Sequence, residues 1–299
     1  MRQIQGIHTT YEEIIENLDK YIDIFLNQAI LGFKGLYLTE QQQRTILCKI
    51  GDKLNYLPNS KYPNGHRYVE NHNNALTVFP NKNKEELVVL WHIEHCSVTH
   101  SPFIGIWNMT KHLCSSESGN TLFVDSWEIY KNFPKPWQDF LEKCEIMDIM
   151  RGELAENFEE NSEFESLDGH TYKSVPRKAI FTDPVTGIKS IRINCILVYE
   201  KLISFDGRTP TVDEQNMLNS IIDIYRNRVY NDQDKLWQYW KWDEGDLIIP
   251  NLQRMLHAVR GGFDFGEREF VGYWGYPAGS EESFPELLME TNDPEFILE

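Results

Sequence analysis

The chain has 299 residues, a net charge of −17 and an aromatic content of 13%. It is long enough to bury a large core, and its composition is typical of a folded rather than a disordered protein. A surface of this sign repels phosphate backbones and anionic lipids, and the sequence has no basic run. We therefore expect neither nucleic acid nor a membrane among its partners.

The cysteines are scattered along the sequence and odd in number, which argues against a disulfide framework or a closed zinc site. They are Cys48, Cys96, Cys114, Cys144 and Cys195. The first 25 residues carry acidic side chains where a signal peptide has an apolar core. The longest apolar runs are strand-sized and too short to span a bilayer. We therefore expect a cytoplasmic protein.

The N-terminal part, residues 1–50, has helical patterns. Residues 9–30 are predicted to form an amphipathic helix, with Thr10 as N-cap and Glu13 in the capping-box position. A strand-like segment follows, and Thr39 repeats the cap signal before a second helix that runs through Ile50.

Residues 85–275 alternate between short strand-like runs and helical insertions, which are predicted at about 126–166 and 211–230. Thr211 is the expected N-cap of the second insertion, with Glu214 three residues later. Strands at both ends of this stretch predict a mainly β protein with helical additions, built as an antiparallel double sheet. We expect residues 1–299 to form a single domain.

The strongest local signal for chemistry is the segment His92-Ile-Glu94, which directly follows the apolar strand ELVVL. Side chains two residues apart in a strand project from the same face, so His92 and Glu94 are predicted to point together. A second histidine from elsewhere would complete a two-histidine, one-carboxylate triad, which is typical of non-heme iron(II) oxygenases. Taken alone, the segment is a weak signal, because it occurs often by chance and most such histidines are ordinary surface or packed residues.

Arg268 lies in the strand-like run EREFVGYW, where Phe270 and Gly272 share its face. If that face is interior, the guanidinium needs an anion, because burying an unpaired charge is very costly. The carboxylate of a ligand would supply a bidentate partner, and a structural Asp or Glu is the alternative.

Five segments occur along the chain in a fixed order: His92-Ile-Glu94, Gly119-Asn-Thr-Leu-Phe123, Trp242-Asp-Glu-Gly-Asp-Leu-Ile-Ile-Pro-Asn251, His257 and Arg268. In this order they resemble the taurine dioxygenase/TfdA branch of the iron(II)/2-oxoglutarate-dependent oxygenases. The similarity covers roughly residues 85–275, and the stretch PRKAIFTDPVTGIKSIRIN also resembles the family's pattern.

The resemblance implies a double-stranded β-helix, or jelly roll, and a dioxygenase that uses iron(II), 2-oxoglutarate and O₂. It assigns the metal to His92, Glu94 and His257, and the distal carboxylate of 2-oxoglutarate to Arg268 and Thr121. The implied reaction converts 2-oxoglutarate to succinate and CO₂ and oxidises a C–H bond of a small molecule. Ascorbate would serve as the reductant in vitro, and the side chains need not supply a general base.

The chain departs from the commonest family pattern at three positions: Pro250 stands where many members have Asp, Glu94 stands where Asp is commoner, and Gly272 stands where taurine-type enzymes place a sulfonate-binding arginine. We therefore expect a zwitterionic or cationic substrate rather than a sulfonate. The polar loop at 65–71 is the candidate substrate-binding segment, with His66, Arg67, Tyr68 and Asn71 as the candidate contacts. The alternative interpretation is an ordinary surface loop.

Hydroxylation is the expected outcome, and desaturation and cyclisation stay open as alternatives. Halogenation is disfavoured, because Glu94 fills the position that a halide would need. An alternative from another class is a non-catalytic, cupin-like binding protein. The simultaneous presence of the three ligands, Thr121 and Arg268 argues against it.

Overall fold

The computed structural model describes most of the chain, and everything below concerns the described part. It comprises residues 1–54, 67–70, 83, 85–94, 101–115, 117–150, 163–165, 171–173, 175–195, 198–264 and 266–275. At 67–70, 150, 163–165, 171–173 and 198 only the backbone is described.

The helices begin at the caps that the sequence predicts. Capping boxes are formed by Thr10 with Glu13, Thr39 with Gln42, and Thr211 with Glu214, so each threonine hydroxyl satisfies an otherwise unpaired backbone N–H. The helices are α1 (Tyr11–Glu16), α2 (Leu18–Gln28), α3 (Glu40–Lys53), α4 (Ser126–Tyr130), α5 (Lys135–Lys143), α6 (Val212–Asn231) and α7 (Gln233–Leu236).

The strands are mostly short, as expected for a jelly roll. They are β1 (Arg2–Gln3), β2 (Ile7–His8), β3 (Ile30–Lys34), β4 (Arg67–Glu70), β5 (Leu87–His92), β6 (Ile104–His112), β7 (Thr121–Asp125), β8 (Cys144–Met150), β9 (Glu163–Glu165), β10 (Thr171–Lys173), β11 (Arg177–Lys178), β12 (Ile180–Thr182), β13 (Lys189–Ile191), β14 (Val198–Phe205), β15 (Trp237–Trp240), β16 (Leu247–Pro250), β17 (Met255–Arg260) and β18 (Arg268–Gly275).

Two sheets dominate the described part. The major sheet has the order β2-β3-β16-β6-β18-β4, and the minor sheet has the order β1-β15-β7-β17-β5. A smaller sheet, β11-β8-β14, and two hairpins, β12–β13 and β9–β10, complete the described strands.

Side chains alternate between the two faces of each main sheet, as strand geometry requires. In β7, Phe123 joins a core cluster with residues of the major sheet, whereas Leu122 and Val124 pack on the opposite face against the helical insertions. In β18, Phe270 belongs to the first cluster, whereas Val271 packs against the N-terminal helices. The space between the two sheets is therefore lined by inward-facing residues of both.

The structure differs from two expectations about helices. The predicted helix at 9–30 is two helices, which meet at Asn17, because that residue has left the helical backbone conformation. The helical insertion predicted to reach 166 ends at Lys143, where β8 begins. Residues 144–150 are a strand because they pair along their length with β14, and this long-range pairing outweighs local helix preference.

In the described part of the chain, no helix has both the length and the apolar character needed to cross a membrane.

Candidate active site

Two histidines and one glutamate converge at one end of the space between the sheets. His92 is the last residue of β5, and His257 lies directly opposite it in β17. The Nε2 atoms of His92 and His257 lie 3.7 and 3.4 Å from Oε2 of Glu94. One donor atom of each residue therefore lies within 4.8 Å of the other two.

Glu94 reaches this cluster by a different route from the one expected. The strand ends at His92, and Glu94 lies in the turn that follows, so the two residues do not share one strand face. The turn nevertheless directs the carboxylate towards both imidazoles. The expected convergence is present, although its local geometry was predicted wrongly.

The donor set suits a divalent transition metal. The Nδ1 atom of His92 lies 2.8 Å from the carbonyl oxygen of Leu90. In the neutral tautomer that carries its proton on Nδ1, His92 donates a hydrogen bond to this oxygen, and its Nε2 atom keeps a lone pair for a metal ion. Metal-bound histidines commonly hold their second nitrogen in this way. Donor atoms about 2.1 Å from a shared ion would lie ~3 Å apart, and the two observed separations exceed this by less than 1 Å.

The electrostatics of the cluster distinguish the two imidazoles. Burial opposes the protonation of His92, but the Glu94 carboxylate and nearby carbonyl groups outweigh it and hold the pKa of His92 above its ordinary value. Burial, together with charge on His92, lowers the pKa of His257 to about 4. His257 is therefore a neutral nitrogen donor near pH 7, as a metal ligand has to be.

Arg268 lies at the start of β18 and is 4% exposed. Its Nη1 donates a hydrogen bond of 2.6 Å to the carbonyl oxygen of Gly119, and its guanidinium lies over the ring of Phe263 at 5.0 Å. Gly119 has a φ of +63°, and a Cβ atom there would lie 2.9 Å from Nη1 of Arg268. Glycine at this position thus provides both the turn and the space for the guanidinium.

Thr121, the first residue of β7, is also buried in this region. Its Oγ1 accepts a 2.9 Å hydrogen bond from the indole N–H of Trp242. An indole N–H can only donate, so the hydroxyl proton of Thr121 is left to donate to another group. Trp242 in turn stacks on Phe270, with 3° between the ring planes.

Aromatic rings line the interior from the arginine end, where Phe270 lies, to the metal cluster, where Trp107 lies. The ring of Trp107 lies 5.1 Å from that of His257 and 6.1 Å from that of Phe270. Phe123, which faces His257 in the minor sheet, lies 6.2 Å from Trp107. Such walls exclude water and strengthen the electrostatic interactions of the few polar groups inside.

The segment 65–71, predicted to be a substrate-binding loop, is described only in part: His66 and Asn71 lie outside the described residues, and for Arg67 and Tyr68 only the backbone is described. The prediction of a loop was wrong for residues 67–70, because they form β4 through their pairing with β18. This pairing places Tyr68 opposite Gly272.

Sequence reasoning overlooked two residues that the structure places beside the site. His112 is half-buried and lies opposite Arg268 in the pairing of β6 with β18. Trp107 lies against Gly272, which strand pairing alone brings close. The one signal for it in the sequence is an aromatic residue in an otherwise aliphatic strand, IGIWNM.

Comparisons with known proteins agree with this architecture. The family described as "Taurine catabolism dioxygenase TauD, TfdA family" matches residues 8–274. A comparison with curated protein sequences gave no match.

Two solved structures illustrate the likeness of fold. A taurine dioxygenase from Burkholderia xenovorans is 13% identical, with a TM-score of 0.56 over 92% of this chain and 89% of that chain. The structure of AAD-2 in complex with Mn(II) and N-oxalylglycine is 15% identical, with a TM-score of 0.53 over 93% of this chain and 96% of that chain.

The family match spans almost the whole described chain, and the similar structures confirm the predicted jelly-roll fold. The chain therefore belongs to the TauD/TfdA family, and it is a dioxygenase that depends on iron(II) and 2-oxoglutarate.

Proposed function

We propose that His92, Glu94 and His257 hold the iron(II) ion, that Arg268 and Thr121 bind 2-oxoglutarate, and that the enzyme hydroxylates a small amine-bearing metabolite. The observation that carries the proposal is the convergence of two imidazole nitrogens and one carboxylate oxygen within 4.8 Å. Three protein ligands of this kind leave coordination positions for cosubstrate and oxygen.

The chain's residues fix the iron on one side of the interior. His92 and His257 come from neighbouring strands in register, and Glu94 comes from the turn after β5. When bound, iron and 2-oxoglutarate supply the oxidising chemistry, with 2-oxoglutarate decarboxylated to succinate. The protein's part is to orient these groups and to keep the cavity dry.

Arg268 and Thr121 suit the distal carboxylate of 2-oxoglutarate. The Gly119 carbonyl oxygen fixes one arm of the Arg268 guanidinium, and its planar fork matches a carboxylate. The Thr121 hydroxyl oxygen accepts a hydrogen bond from Trp242. This contact orients the hydroxyl proton of Thr121 so that it can be donated to the carboxylate. Strand pairing supports this arrangement, since Thr121 lies opposite Val259, two residues from His257.

The proposed substrate class rests on charge and on the aromatic wall. The net charge of −17 raises the local concentration of cations near the surface. Trp107 beside His257 presents an aromatic ring, and such rings attract cations. His66, Arg67, Tyr68 and Asn71 remain the proposed substrate-binding residues, and hydroxylation is proposed over desaturation or cyclisation because it is the simplest outcome.

Succinate release measured with iron(II), ascorbate and 2-oxoglutarate tests the proposal, with sulfonates, organic acids, amino acids and amines compared as stimulants. We expect amines or amino acids to stimulate release, and we expect His92→Ala, Glu94→Ala and His257→Ala to lose iron and turnover while remaining folded. Near-normal iron content and turnover in two of these variants would refute the ligand assignment. Stimulation by sulfonates and by no amine would refute the substrate class.

A further inference from the structure

Trp107 faces the candidate metal cluster from the opposite sheet. It lies in β6 of the major sheet, whereas His257 lies in β17 of the minor sheet. Its ring centroid lies 5.1 Å from that of His257, and the residue is 6% exposed. Trp107 therefore forms the wall across from this ligand.

The indole fills space that two neighbouring residues leave open. Gly272 is paired with Trp107 across the strands, and a Cβ atom on it would lie 2.8 Å from Cδ1 of Trp107. A Cβ atom on Gly105, two residues earlier in β6, would lie 3.3 Å from Nε1 of Trp107. The Trp107 side chain, which lies over Gly105 and Gly272, thus determines the shape of this wall.

The wall stands at the metal end of the interior. Gly272 follows Arg268 by four residues in the same strand, which corresponds to about 13 Å along β18. Arg268 contacts Gly119 at one end, and Trp107 contacts His257 at the other. The C–H bond to be oxidised has to lie near the metal, so Trp107 borders the region where substrate is expected rather than the carboxylate end of the cosubstrate.

We infer that Trp107 is a specificity-determining residue that limits the depth of the substrate pocket beside the metal and favours a cationic group there. This inference rests on the proposed function. An indole contributes volume and an electron-rich face but no positive charge, so it restricts the length of a substrate and stabilises an ammonium group. One or two methylene groups fewer or more in such a pocket change binding by about tenfold or more.

Calorimetric titration with primary alkylamines, from ethylamine to octylamine, tests this inference without turnover. The protein is loaded with Mn(II) and N-oxalylglycine, and metal-free protein is titrated in parallel. We expect Trp107→Phe to improve the binding of the longer amines about tenfold relative to the shorter ones. Trp240→Phe is the matched control, because Trp240 is a buried indole of the same core cluster and also lies over a glycine, Gly32.

A pair of glycine variants provides a second, opposite perturbation. Gly272→Ala places a methyl group under Trp107, and Gly32→Ala places one under Trp240, where a Cβ atom would lie 2.4 Å from the ring. Both variants should lower thermal stability, but only Gly272→Ala should change the amine profile. Identical profiles for Trp107→Phe and Trp240→Phe would overturn the inference, as would a failure of every amine to bind the wild type and Trp107→Phe.

Failure of the proposed function is a separate outcome. Suppose that the wild type releases no succinate, but that Trp107→Phe, unlike Trp240→Phe, changes the amine-binding profile. This result would overturn the proposed function and would support the role of Trp107 in the binding pocket. Succinate release with amine profiles unaffected by Trp107→Phe would overturn the role of Trp107 alone.

Discussion

Gly119→Ala should separate the binding of 2-oxoglutarate from the stability of the fold. The residue has a φ of +63°, so alanine would be strained at this position by about 1–2 kcal/mol. The added Cβ atom would also lie 2.9 Å from Nη1 and 3.2 Å from Cδ of Arg268. The substitution therefore acts on the backbone and on the guanidinium at once.

The size of the second effect follows from the geometry. To reach an ordinary van der Waals separation, the guanidinium has to move by about 0.5 Å. That shift disturbs its hydrogen bond to the Gly119 carbonyl and tilts its fork away from a bound carboxylate. Loss of one charge-assisted hydrogen bond costs about 1.5–3 kcal/mol. We therefore expect 2-oxoglutarate to bind about tenfold to a hundredfold more weakly.

Gly187→Ala is the matched control, because Gly187 has a φ of +70° and a Cβ atom there would meet nothing within 4 Å. Both variants should melt at a lower temperature, and Gly119→Ala should melt lower than Gly187→Ala because its Cβ atom also displaces Arg268. Calorimetric titration of 2-oxoglutarate into Mn(II)-loaded protein should show weaker binding for Gly119→Ala alone. Equal affinities of the two variants for 2-oxoglutarate would refute the role given to Gly119 and Arg268.

Three further substitutions test other parts of the structure. Arg268→Lys should raise the KM for 2-oxoglutarate about tenfold or more and leave the iron content unchanged, because lysine keeps the charge but loses the planar fork; an unchanged KM would contradict the assignment. Thr211→Ala should lower the free energy of unfolding, measured in urea, by about 1 kcal/mol, because it removes the cap of α6; an unchanged midpoint would show that the cap is dispensable. Burial, opposed by Arg226 and aided by Asp148, raises the pKa of Glu200 from 4.5 to about 8, so folding favours its protonated form. Thermal stability should therefore fall as the pH rises through this interval, and Glu200→Gln should flatten that fall, as melting curves at several pH values can check.

Capping residues in the sequence correctly predicted where three helices begin. The capping boxes at Thr10, Thr39 and Thr211 mark helix starts in the sequence and in the structure alike. These signals succeed because a cap depends on residues only three positions apart. The end of the helical insertion was predicted wrongly, since β8 is a strand through its pairing with the distant β14.

The candidate site was predictable in its members but only partly in its geometry. The apolar strand before His92 predicted that His92 and Glu94 point together, and the family resemblance supplied His257. Neither could indicate that the strand ends at His92, because the position of Glu94 depends on the turn that follows. The pocket wall could not be predicted from the sequence, because Trp107 and Gly272 come together only through the pairing of β6 with β18.

Because these residues are divided between the two sheets, the substrate specificity of this enzyme can change without a change in its proposed iron ligands. His257 lies in the minor sheet, and His92 and Glu94 lie at the end of its β5 strand. Trp107 and Gly272 belong to the major sheet and reach the metal region only across the interior. A change in the pocket wall therefore leaves in place the pairing of β17 with β5 and the contact of the His92 Nδ1 atom with the Leu90 carbonyl, which align two of the proposed iron ligands. It follows that Trp107→Phe should change the amine profile while the protein retains its affinity for Mn(II).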